Sequence, residues 1–132
     1  MTPDAAMERI NLLTAHAWMV RQFLKHAEEV QEDEEMLDVH RMIYDYLRAL
    51  EPSYQRKDVA EYLRRARGKL SKLRKVAEFF HANYERASSH TNFQMAAVSL
   101  RFVVHQIEEV LAATMPSTLA RPEDEGDPVA GV

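Results

Sequence analysis

The chain has no cysteine, which excludes disulfides, thiolate nucleophiles and cysteine-held metals. Glycine is nearly as scarce: of the three, Gly126 and Gly131 lie near the C-terminal end and only Gly68 interrupts the body. No Asn-Gly turn and no alternation of apolar and polar residues marks a strand. Long apolar runs are missing too. The longest nearly apolar stretch, residues 95–104, is broken by Ser99 and Arg101, whereas a spanning helix needs about 20 such residues. The first nine residues lack the basic start and apolar middle of a signal peptide. There is no Gly-rich phosphate loop, nucleophile elbow or metal finger. These absences point to a cytoplasmic, non-membrane protein with no catalytic signature.

What is present is helical. With 132 residues, 46% of them hydrophobic and 29% charged, the chain is long enough for one domain with its own core. Four stretches carry apolar residues at a helical period. The first helix is expected from about Asp4, as N-cap, to Val30, with Ile10, Leu13, Ala17, Val20 and Leu24 inward. The second is expected from Asp33 to Leu50, ended by Pro52. The third runs from Lys57 or Asp58 to Ala87, with Ser53 and Asp58 as alternative caps. The fourth runs from Thr91 to Thr114, capped by Thr91 or Asn92. Short connections make successive helices antiparallel. The expected fold is therefore an all-α, up-down-up-down four-helix bundle over residues 1–116, followed by a flexible tail over 117–132.

The fourth helix is apolar on two sides. One stripe (Phe93, Ala96, Ala97, Leu100, Val103, Val104 and Ile107) has the spacing of a core face. Met95, Val98 and Phe102 project the other way, toward solvent. Trp18 lies on the polar side of the first helix. Counted from the common bundle end, it falls within about two residues of the level of Phe102. Exposed tryptophan is enriched at interfaces. Together, Trp18, Met95, Val98 and Phe102 are the expected contact surface for a second copy, most simply a dimer, or for another protein.

Two other constellations carry chemistry. Of six histidines, His26, His40 and His81 fall within roughly 9–13 Å of one bundle end at ~1.5 Å per residue. Glu78 and His81 form a Glu-x-x-His pair, the spacing that puts a carboxylate and an imidazole on one helix face. His26, His40, Glu78 and His81 are thus the candidate metal ligands. Di-iron bundles need two such pairs, and this chain has one, so no cofactor is the first expectation and a bound metal ion the alternative. His16 falls on the apolar face of the first helix and is expected as a core imidazole with a hydrogen-bond partner.

The third helix is densely basic, and Arg65, Lys72 and Lys75 surround Phe79, an arrangement suited to stacking on a base or holding a phosphate. Against that stands a net charge of −4, which disfavours nucleic-acid binding by the whole domain. Ion pairing to neighbouring helices accounts for these cations equally well.

Overall fold

The computed structural model describes residues 1–114; the expected tail, 117–132, lies outside the described residues. These residues form an all-helical structure with five α-helices where four were expected. They are α1 (Pro3–Lys25), α2 (Glu34–Gln55), α3 (Val59–Gly68), α4 (Leu70–Asn83) and α5 (Thr91–Ala113), with single 3₁₀ turns at Glu28–Val30 and Tyr84–Arg86.

The expected third helix is two. Gly68, the weakest helix former in that stretch, ends α3, and Lys69 separates it from α4. The carbonyl of Ala66, in the last turn of α3, is taken by the buried hydroxyl of Tyr46 on α2, which donates to it at 2.9 Å. That side-chain bond satisfies an acceptor in a turn whose carbonyls lack full helical pairing.

Other boundaries move for local reasons. Thr2, not Asp4, caps α1: its hydroxyl accepts from the Ala5 amide, and Pro3 occupies the first turn. The first helix stops at Lys25 instead of Val30. Continuing would place Glu28 and Glu29 at the negative end of the helix dipole, and Gln31 instead donates its side-chain amide to the carbonyls of Lys25 and Ala27. The second helix runs through Pro52 to Gln55. In the last turn a proline forfeits a single N–H. The Asp58 amide then closes the end by donating to the Ser53 carbonyl, with Lys57 left-handed at φ 56°. Asp58 caps α3, and the His90 ring caps α5 by accepting from the Asn92 amide.

Helix α1 packs on α2 and α5, α4 packs on α5 and α2, and α3 covers α1 and α2. The buried interior includes Ile10, Leu24, Val39, Ile43, Leu63, Leu73, Phe80, Leu100 and Ile107, the inward stripes expected from the periodicity. Arg86 closes one end with a forked contact to Asp33 and a second to Glu35, at 2.8–3.1 Å. No described helix is long and apolar enough to cross a membrane.

Candidate functional site

Two contacts set the alignment of α1 against α5. The N-terminal amine donates to the Ala113 carbonyl at 2.9 Å, and at the other end Phe23 meets Phe93 edge-on, centroids 4.9 Å apart. The helices are antiparallel, and Leu12 is level with Phe102 and Val103, Met19 with Ala96 and Ala97.

At about 100° per residue, Leu12, His16 and Met19 share the flank of α1 that carries Phe23, the flank facing α5. On α5, Arg101 and Glu108 turn toward α4, where Arg101 pairs with Glu78 at 3.2 Å and Glu108 with Arg74. Met95, Val98 and Phe102 are left pointing outward, Met95 and Phe102 leaning toward α1. Leu12 and Met19 on α1, and Met95, Val98 and Phe102 on α5, are thus large apolar side chains exposed on two adjoining helices. All five are exposed, Met19 at 66%, Leu12 at 62% and Phe102 at 57%. The only other large apolar side chains exposed among the described residues are Met1, Trp18 and Tyr44.

Trp18 is placed elsewhere. It faces α2, where the Arg21 guanidinium lies 4.6 Å from the Trp18 ring and 4.6 Å from the Tyr44 ring. The level expected from the sequence is displaced because α1 ends five residues earlier than its periodicity implied, which slides Trp18 toward Ala97. His16 is exposed rather than a core imidazole. Leu12 and Met19 were missed because each falls outside the best inward stripe. A visible signal was the lack of any Asp, Glu, Lys or Arg from Ile10 to Val20: a solvated helix flank carries charge, and interface cores are depleted of it.

The candidate ligands do not form one group. Among the described residues no group of three or more His, Asp or Glu could hold a metal ion, so His26, His40, Glu78 and His81 are not gathered. Glu78 and His81 both meet a cation instead, with the Arg101 guanidinium 3.3 Å from the His81 ring nitrogen. His26 caps the end of α1 beside Glu28, Glu29 and His90. The His40 imidazole is held below its ordinary pKa, first by burial and then by Arg21, Arg41 and Lys25.

The basic stretch is divided by the break at Gly68. Arg65 binds Glu61 at 2.7 Å, while Lys72 and Lys75 belong to α4. Phe79 is half-buried against the core with Arg86 over its ring at 5.6 Å. The expected cluster of Arg65, Lys72, Lys75 and Phe79 is therefore spread over two helices.

The chain matches no family model, no curated protein and no solved structure.

Proposed function

We propose that this is a non-enzymatic, cytoplasmic helical protein that self-associates through the α1–α5 face. The observation carrying the reading is the concentration of exposed apolar side chains there: Leu12, Met19, Met95, Val98 and Phe102. Contiguous apolar patches of this kind on small proteins mark interaction sites. A second copy is the simplest occupant, because two-fold pairs are the commonest assemblies and require a self-complementary patch. The patch has that form. Leu12 and Phe102 stand at one end and Met19 and Met95 at the other, so a two-fold axis near His16 and Ser99 sets each end against the opposite end of the second chain. In this reading α3 and α4 act as one bent leg, and each subunit is an up-down-up-down four-helix bundle.

Sedimentation equilibrium of the wild type and of Phe102→Glu tests this. The wild type should dimerise. The variant should remain folded, since Phe102 contributes nothing to the subunit's own core, and its association should weaken at least tenfold, as expected for loss of a central apolar anchor. A wild type that stays monomeric throughout the accessible concentration range refutes the proposal.

A further inference from the structure

Between Ile10 and Val20 on α1 there is no Asp, Glu, Lys or Arg, and His16 is the one titratable side chain. It follows Leu12 by four residues and precedes Met19 by three, which at about 100° per residue keeps all three on one flank of the helix. His16 is exposed, with no hydrogen bond or ion pair among the described residues. The alignment set by Met1 with Ala113 and Phe23 with Phe93 places it level with Ser99 of α5. The facing stretch of α5, Thr91 to Val104, holds a single charged residue, Arg101, and that guanidinium is turned to Glu78 and His81 of α4. The remaining charges stand clear. Arg21 lies over Trp18 and Tyr44 on the α2 side. Toward α2 and α3, Arg48 pairs with Glu51 and Lys57 with Glu8. Arg9 lies seven residues before His16, and His105 and Glu109 lie past Phe102 toward the end of α5.

We propose that His16 makes the pairing of two copies sensitive to pH: the chains associate while its imidazole is neutral and separate when it is protonated. This rests on the self-association reading, in which the two-fold axis passes near His16 and brings the two imidazoles together. Histidine is the side chain that ordinarily changes charge between about pH 5 and pH 8. A neutral imidazole offers one donor and one acceptor, so two can share a hydrogen bond across the axis. Two imidazolium ions offer donors alone, repel each other and lose hydration against the apolar residues around them. No acid lies between Ile10 and Val20 or between Thr91 and Val104 to compensate them. Association therefore excludes the proton. The separated chains bind protons that the pair does not, and the dissociation constant rises as pH falls.

The test is sedimentation equilibrium at about pH 7.5 and about pH 5.5, on either side of the ordinary histidine value, at one ionic strength. The wild-type dissociation constant should rise about ten- to a hundredfold at the lower pH, the upper figure being the limit for two histidines that each exclude one proton. His16→Gln, an uncharged amide at an exposed position, should dimerise with nearly the same constant at both. His16→Lys, with a fixed charge, should pair weakly at both. His105→Gln should respond as the wild type does. Circular dichroism at the lower pH separates dissociation from unfolding, because every variant keeps His40 and any acid loss of helix is common to them. A wild type that dimerises equally at both pH values, or more tightly in acid, overturns this inference and leaves self-association standing. So does a His16→Gln variant that keeps the full response. A wild type monomeric at both removes self-association and this inference with it.

Discussion

Two buried tyrosines, Tyr46 and Tyr62, have opposite hydrogen-bonding states, and their phenylalanine variants should behave differently. Tyr46→Phe leaves the Ala66 carbonyl without its side-chain donor. It should lower unfolding stability by about 1–3 kcal/mol, the range for stranding a buried polar group. Tyr62→Phe removes a hydroxyl that pairs with nothing among the described residues and should cost no stability. Urea denaturation of both variants measures the contrast. His40 gives a pH signature. Its folded pKa lies below the ordinary value, about 6.5, so below that value the unfolded chain binds the proton more readily. Stability therefore falls with acidification through this window. His40→Gln should make the decline between about pH 7 and pH 5 shallower, and an unchanged slope would show that His40 does not contribute to it.

At the scale of elements, helical periodicity identified the inward stripes, while the ends of helices were governed by contacts that periodicity does not encode. Gly68 was visible in the sequence as the only glycine of the body. Its power to divide a helix becomes apparent only with Tyr46 standing opposite to satisfy the freed carbonyl. The early end of α1 depends in the same way on Gln31 reaching back to Lys25 and Ala27. Because Gly68 has no positive φ and closes α3 in helical geometry, alanine fits there. Gly68→Ala should raise stability by about 0.5–1 kcal/mol by restricting the unfolded chain. An increase in the urea midpoint at constant slope checks this. A decrease would mean that the break itself needs glycine.

For the whole molecule, the shift in where α1 ends decides which residues share a surface. Met95, Val98 and Phe102 were legible because they oppose a strong inward stripe on one uninterrupted helix. Their neighbours Leu12 and Met19 were not, because they depend on how α1 aligns with α5, and that alignment follows from Met1 against Ala113 and Phe23 against Phe93. The candidate metal residues were not gathered into one group among the described residues, because a shared level does not set direction around a helix. The pairing of two copies across the α1–α5 face can be observed through its own methionines. In a mixed sample of methyl-labelled and unlabelled chains, isotope-filtered NMR records contacts between chains alone. The methyl groups of Met19 and Met95 should show cross-chain contacts to leucine and phenylalanine protons, and those of the core residues Met7 and Met36 should show none. Absence of any cross-chain signal from Met19 and Met95 in a sample that sediments as a dimer would contradict this account and place the interface elsewhere.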